Sequence, residues 1–191
     1  EKTIGGAEWE FATAITSLPD GGSVVAARTN SKGAGKFDFW VIRLDSDGIL
    51  LWDKTFGGSD GDWANAITVL PDGGFAVAGG TKSKGAGKKD FWIIRLDSNG
   101  NRIWDKTFGG AEIDVARTIA AFSDGGLIVA GRTYSKGAGG GDFWVIRLDS
   151  DGNILWDKTF GGTEYDQANA IISLPDGGIV VAGETRSKGA G

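Results

Sequence analysis

The sequence predicts an all-β fold, a β-propeller of four-stranded antiparallel blades, from three observations. The phrase WDKTFGG begins at Trp52, Trp104 and Trp156, which gives a period of 52 residues. Each period holds four short strand patterns separated by turn signals, without a helical pattern. The third strand of each period is bulky and apolar on both faces, so that a sheet built from it must be covered on both sides. About three and two-thirds such blades fit into the chain.

The second period shows the four strands most clearly. Its predicted strands are, in order, 63–70, 75–81, 90–97 and 102–108. The sequence PDGG at 71–74 and the sequence SNGN at 98–101 are strong turn signals between strand patterns, and such short loops favour antiparallel hairpins. A straight β-solenoid is the structural alternative, but it would favour shorter coils and parallel pairing.

Each predicted sheet is expected to pack face to face with the next one around an axis. Because side chains alternate along a strand, Phe39 and Val41 point to one face while Trp40 and Ile42 point to the other. We therefore predict that tryptophans of the third and fourth strands, such as Trp40 and Trp52, form the core between blades. The small residues of the first strand suit the crowded position nearest the axis.

The repeat resembles one from known proteins. The pattern WDKTFGG, LPDGG, VAG, SKGAG and DFWVIRLDSDGN extends over the whole chain. It resembles a repeat of large secreted or surface-attached prokaryotic proteins that form β-propellers. The resemblance implies an extracellular or cell-surface location, and it implies no particular ligand, since propellers host many unrelated tasks.

The chain is predicted to be a single repeat domain, 1–191, whose units are approximately 7–58, 59–110, 111–162 and 163–191. The last unit lacks its third and fourth strands, and both ends lack the same DFW-containing hairpin. Exposed aromatic faces would cost more than a domain's marginal stability. We therefore expect a larger ring or array, made either by the rest of a longer chain or by copies that associate edge to edge. A chain that begins at Glu1 and contains no Met is also expected to be processed, excised or partly observed.

Composition excludes several classes of function. The formal net charge of −5 and a pI near 4.8 argue against nucleic acid as a partner, which prefers a basic surface. The absence of His and Cys removes the Ser-His-Asp, Cys-His and common zinc chemistries. No apolar run has the length of a membrane span. The chain is predicted not to be an enzyme, and no catalytic residue is assigned.

Recurring acids are the remaining candidates for chemistry. A pair follows each GG, and the four pairs are Glu8 with Glu10, Asp60 with Asp62, Glu112 with Asp114, and Glu164 with Asp166. Such pairs could act in glycoside hydrolysis or bind calcium. An active site normally occurs once, so hydrogen bonds from turn N–H groups or ion pairs with Lys54, Arg43 and their equivalents are the favoured interpretation.

Calcium is the only cofactor that the sequence leaves open. Asp60 and Asp62 are weak candidates for it, as are Asp45 and Asp47 in the sequence DSDG, which begins like a calcium loop. That loop lacks the downstream oxygen ligands, and it is interpreted as a hairpin turn. The recurring SKGAG, which lacks the residues of a phosphate loop, is interpreted as a connection whose lysine is solvated.

Positions where the copies disagree are the candidates for a ligand or partner surface. They occur at loop entrances and strand ends, whereas positions with a shared scaffold role should stay alike. Their aromatic members are the predicted surface, because exposed aromatic residues commonly anchor proteins and sugars; these are Trp9, Trp63, Tyr134 and Tyr165. Neutral drift at solvated loops explains the same variation.

The predicted function is a non-enzymatic extracellular repeat scaffold for adhesion, assembly or partner display. The alternative is a carbohydrate-binding propeller with repeated pockets between blades. A further alternative, an enzyme that uses a Glu8/Glu10-type pair, would require one copy's acids to differ in environment from the others. Expected partners are the protein itself or the rest of a longer chain, together with a glycan or a surface protein.

Overall fold

The computed structural model describes residues 2–187 and contains fourteen β-strands. The first blade contains β1 (Glu10–Ser17), β2 (Ser23–Thr29), β3 (Asp38–Leu44) and β4 (Leu50–Phe56). The second contains β5 (Asp62–Val69), β6 (Phe75–Thr81), β7 (Asp90–Leu96) and β8 (Arg102–Phe108). The third contains β9 (Asp114–Ala121), β10 (Leu127–Thr133), β11 (Asp142–Leu148) and β12 (Ile154–Phe160), and the fourth contains β13 (Asp166–Ser173) and β14 (Ile179–Thr185).

The strands form four separate sheets in sequence order. Three sheets have four strands and the last has two, and every neighbouring pair of strands is antiparallel. The prediction of an all-β fold made of four-stranded antiparallel blades is therefore confirmed. The straight β-solenoid is excluded for the described residues, since its parallel ladders do not occur between these strands.

The three four-stranded blades have the same two ends. At one end lie the GG turn before the first strand and the SKGAG connection between the second and third strands; in the second blade these are residues 57–61 and 82–89. We call this the SKGAG end. At the other, the LPDGG end, lie the two hairpin turns, which are residues 70–74 and 97–101 in the second blade. The two ends are separated by the full length of a strand.

Aromatic side chains join one blade to the next. The ring of Phe39 in the first blade lies 4.7 Å from that of Trp92 in the second, and Phe91 lies 4.8 Å from Trp144 in the third. Each of these four side chains exposes 1% of its surface or less. Burying one such ring removes roughly 150–250 Å² from water. The tryptophans of the third strands therefore lie in the core between blades, as the alternation of side chains predicts.

The tryptophans of the fourth strands are less enclosed than predicted, since they pack at the margin of the core and are not fully buried in it. Trp52 is half-buried, and its ring lies over Gly100 in the hairpin turn of the next blade, where a Cβ would come within 2.8 Å of it. Gly100 has φ of +77°, which also favours glycine. Trp104 packs on Gly152 in the same way. Trp156 is 36% exposed.

The first strands of successive blades contact one another. Each contains a β-bulge, and the residues left without a cross-strand partner are Thr13, Asn65, Arg117 and Asn169. The Thr13 hydroxyl donates to the carbonyl of Ala64 at 3.0 Å, and the Asn65 amide donates to that of Ala116 at 2.7 Å. A bulge redirects the side chain of its extra residue, and here it directs two of them to the next blade.

Candidate functional site

The SKGAG end contains a polar network that recurs in each blade. The second acid of each pair is its centre. Asp62 is fully buried, and it accepts hydrogen bonds from the Thr81 hydroxyl, from the Ser83 hydroxyl at 2.8 Å and from the Gly58 N–H at 3.0 Å. Asp114 and Asp166 have the same kinds of donors in their own blades. These acids therefore hold the GG turn against the SKGAG connection.

The first acid of the pair lies at the surface. Asp60 is bound by Lys36 at 2.8 Å, and Glu112 is bound by Lys88 at 2.6 Å. The predicted pairing with Lys54 and Arg43 is wrong. Arg43 instead binds Asp20 at the LPDGG end, a full strand length away from these acids. The prediction that turn N–H groups donate to the acids holds for Asp62.

A second buried carboxyl faces Asp62 from the neighbouring blade. Asp38 is fully buried, and its Oδ2 accepts from the Ala34 N–H while its Oδ1 has no hydrogen-bond partner among the described residues. A Cβ on Gly57 would lie 1.5 Å from Asp38 Oδ1 and 2.9 Å from Asp62 Oδ2, so that only glycine fits between them. Burial, with a further contribution from the charge of Asp62, raises the pKa of Asp38 to about 6.

The same arrangement recurs across the next joint. Asp90 faces Asp114, and Asp90 Oδ1 also lacks a partner within residues 2–187. Burial raises the pKa of Asp90, and the charge of Asp114 adds to the effect. Asp166 behaves in the opposite way: burial opposes its ionisation, but hydrogen bonds from Ser187 and Thr185 outweigh it and lower the pKa of Asp166 to about 2.

The structure separates the two groups of calcium candidates. Asp45 and Asp47 lie at the LPDGG end, where Asp45 accepts from the N–H groups of Asp47 at 2.9 Å and of Ile49 at 2.7 Å. This segment is therefore a hairpin turn. Asp60 and Asp62 lie at the SKGAG end. Within residues 2–187, no three Asp, Glu, His or Cys side chains are grouped so that they could hold a metal ion.

The lysines of SKGAG do not behave as predicted. Lys84 binds Asp105 at 2.7 Å and lies 5.1 Å from the centre of the Trp92 ring, whose indole N–H donates to the same carboxylate at 2.9 Å. Lys32 and Lys136 make the equivalent contacts. The expectation of a merely solvated lysine is therefore wrong for these three copies. Lys188, the fourth copy, lies outside the described residues.

All four predicted aromatic candidates lie at the SKGAG end. Trp9 is 67% exposed and its ring is stacked on Phe11 at 6.0 Å. Tyr134 is exposed, whereas Trp63 and Tyr165 are half-buried. They are distributed over all four blades, and each is close to a cationic side chain or to a ring that carries one. Their role in binding stays a prediction.

Cationic side chains lie on these rings. The ammonium of Lys89 is 3.5 Å from the centre of the Trp63 ring, and the guanidinium of Arg28 is 4.7 Å from that of Phe11. The Arg132 guanidinium lies 4.8 Å from both Tyr134 and Tyr165. Such contacts are attractive because the ring face is electronegative. Three blades thus each hold a cation against aromatic rings at the same end.

Lys89 and Phe37 were not predicted from the sequence as site residues. Both immediately precede the recurring DFW, at a position occupied by Phe37, Lys89 and Gly141 in the three copies. The backbone there accepts a hydrogen bond from the next blade, since the Asp114 N–H donates to the Lys89 carbonyl at 2.7 Å. The variation at this position, beside an unvarying motif, was the signal that could have identified it.

Lys89 is the centre of a basic cluster. Burial lowers the pKa of Lys89 to about 8, and the positive charges of Lys82, Arg117, Arg28 and Arg132 lower it further. These five residues come from three blades. We refer to them as the basic cluster. The cluster is unexpected in a chain whose net charge is −5.

The LPDGG end contains pockets between blades. One of about 560 Å³ lies between the first and second blades, lined by Pro19, Arg43, Trp52 and Pro71 among others. An equivalent pocket of about 430 Å³ lies between the third and fourth blades. Between the second and third, Arg95 instead reaches across to the carbonyls of Gly125 at 3.2 Å and Ser150 at 2.9 Å.

These features define the chain as a β-propeller repeat protein. Residues 123–154 match a family model described as "Domain of unknown function (DUF5122) beta-propeller". Regulatory protein FlaEY of Caulobacter vibrioides is 27% identical over 186 residues, which cover 83% of this chain and 20% of FlaEY. The chain thus spans about a fifth of the length of this relative.

A solved propeller shares the fold. The WD40 β-propeller domain of Doa1 matches with a TM-score of 0.59 and 16% identity, over 92% of this chain and 48% of that one. This likeness concerns the fold alone. The described residues also contain no helix long and apolar enough to cross a membrane.

Proposed function

We propose that this chain is part of a non-enzymatic extracellular repeat scaffold that presents its SKGAG end to a partner in adhesion or assembly. One observation carries the proposal. The joints between blades are built from recurring residues, such as Phe39 with Trp92 and Phe91 with Trp144. Among the positions that differ between copies, those at the SKGAG end carry exposed aromatic and cationic side chains. A repeated frame that presents such variable side chains is suited to recognition.

The absence of a catalytic role is also proposed. The recurring acids are engaged in the same structural hydrogen bonds in successive blades, as at Asp62 and Asp114. A catalytic pair would differ from its copies in environment.

Carbohydrate binding is the second candidate. Open pockets recur between blades at the LPDGG end, and the pocket of about 560 Å³ is lined by Trp52 and Phe75. A sugar ring could stack there against an aromatic side chain.

The proposal predicts that antibodies raised against the folded protein label intact producing cells, and that protease added outside those cells removes the label. Beads coated with the protein should bind the same cells. The variant Trp9→Ala should reduce attachment, whereas Leu51→Ala, at an exposed position on β4, should not. Label confined to permeabilised cells, or attachment that is equal for both variants, would contradict the proposal.

A further inference from the structure

We infer that the SKGAG end binds an acidic polysaccharide, whose carboxylates pair with the basic cluster and whose sugar rings stack on Trp9. The inference rests on the proposed function, since it names the ligand of the presented end. The acidic polysaccharide would bind at the SKGAG end, whereas the pockets that favour the second candidate, carbohydrate binding, lie at the LPDGG end.

The basic cluster lacks carboxylate partners. None of its five residues forms a salt bridge with any residue in the described range. Other cations of the same end are paired, as Lys36 is with Asp60 and Lys88 is with Glu112. The chain has 25 acidic and 20 basic side chains, so that acids are in excess, yet no described acid lies within salt-bridge distance of this cluster.

The basic cluster has free hydrogen-bond donors. The side chains of Arg28, Lys82 and Lys89 donate no hydrogen bond to any residue from 2 to 187. The terminal N–H groups of a guanidinium fit a carboxylate through two parallel hydrogen bonds, and an ammonium binds a carboxylate as a point charge. A bound anion would satisfy these donors.

The cations of the basic cluster repel one another. Lys89 is half-buried and is acted on by the charges of four neighbouring cations. Bringing like charges together is unfavourable, especially where water is partly excluded. An anionic ligand would offset this repulsion by its attraction to each cation. The cluster therefore favours the ligand-bound state of the protein.

The rings favour a sugar over an acidic peptide. Trp9 exposes 67% of its surface and Phe11 exposes 38%. Aspartate and glutamate side chains offer no flat apolar face for such rings, whereas the C–H face of a pyranose does. A uronic-acid polymer supplies both a ring and a carboxylate in every unit, and it therefore matches the combination of aromatic and cationic side chains.

Calorimetric titration of the whole chain with an oligogalacturonate tests the inference. The same oligosaccharide in methyl-esterified form keeps the rings and loses the charges, and poly-glutamate keeps charges without rings. We expect the acidic sugar to bind at least about tenfold more tightly than either, and added salt to weaken it.

Variants at neighbouring lysines provide the matched comparison. Lys89→Gln should weaken binding about tenfold by removing a partly desolvated charge. Lys88→Gln removes the same charge one residue earlier, from a lysine paired with Glu112, and should leave affinity unchanged. Trp9→Ala, at an exposed ring, should weaken binding without affecting folding.

Four outcomes would overturn the inference: no binding of the acidic sugar, equal binding of the esterified sugar, equal binding of poly-glutamate, or equal effects of Lys88→Gln and Lys89→Gln. If these occur while coated beads still attach to cells, the proposed function holds and only the ligand is wrong. If the acidic sugar binds but antibodies do not label intact cells, the ligand is right and the proposed function is wrong.

Discussion

At neutral pH, ionisation of the Asp38 carboxyl group destabilises the folded protein. Its carboxyl lies between the first two blades, with one oxygen bonded to the Ala34 N–H and the other directed at Asp62. Burial raises its pKa from 3.8 to about 6. In the window between these two values the folded protein binds a proton that the unfolded chain does not. The contribution of Asp38 to stability therefore becomes less favourable as the pH rises through this window.

The variant Asp38→Asn should consequently be more stable than the parent above about pH 6. An asparagine amide can accept from Ala34 through its oxygen and donate to Asp62 through its nitrogen. Urea unfolding followed at about pH 5 and pH 7.5 should show a smaller pH dependence in the variant than in the parent.

Asp47→Asn is the matched control for this measurement. It removes the same charge from an exposed turn at the LPDGG end. The explanation fails if Asp47→Asn flattens the pH dependence as much as Asp38→Asn does.

The place of a single side chain in the fold could be predicted from the sequence only where its residue type has one structural role. Trp92 was predicted as core from its alternation with Phe91. The contact of Lys84 with Asp105 and Trp92 was not predicted, because the three residues come from different segments and meet only when the second and fourth strands flank the third. The basic cluster was hidden for the same reason, since its members come from three blades and whole-chain charge has the opposite sign.

At the scale of the strand, the position of the β-bulge determines which residue has no cross-strand partner. Asn65 is the extra residue of β5, and its amide bonds to the Ala116 carbonyl of the next blade. The equivalent residue in β9 is Arg117, which is exposed and makes no such bond with a described residue. The same bulge thus serves as a joint in one blade and contributes a cation to the basic cluster in another.

This difference predicts unequal effects of alanine at the two bulges. Asn65→Ala should lower the free energy of unfolding by about 1–3 kcal/mol, since a carbonyl between blades loses its donor. Arg117→Ala should change it by less than about 0.5 kcal/mol. Thermal or urea unfolding measures both. A larger loss for Arg117→Ala would show that the bulge does not act through this hydrogen bond.

Strand boundaries were predicted closely where turns are marked by Gly or Pro. The predicted strands 75–81 and 102–108 agree with β6 (Phe75–Thr81) and β8 (Arg102–Phe108). The bulges were not predicted, because the extra residue occupies an ordinary strand position in the sequence. Its effect depends on the pairing of Ala64 and Ala66 with the second strand.

For the whole molecule, protection from solvent should follow the position of a strand in its blade. Every residue of β6 and β7 is buried, whereas β8, the last strand of the same blade, is only partly buried. Hydrogen exchange followed by mass spectrometry should find the slowest amides in β6 and β7 and faster exchange in β8. Local opening is easiest where few apolar contacts must be broken. Uniform protection across these strands would contradict the packing described here.

The joints between blades have nearly the same geometry, with ring planes inclined at 53° for Phe39 and Trp92 and at 52° for Phe91 and Trp144. When a blade is inserted, removed or exchanged at such a joint, the blades that become neighbours can pack through the same Phe–Trp contact. Gene duplication can therefore lengthen or reorder the series without a new interface having to evolve. Each rearrangement would also bring a different set of side chains together at the rim, so that recombination of existing modules generates new recognition surfaces.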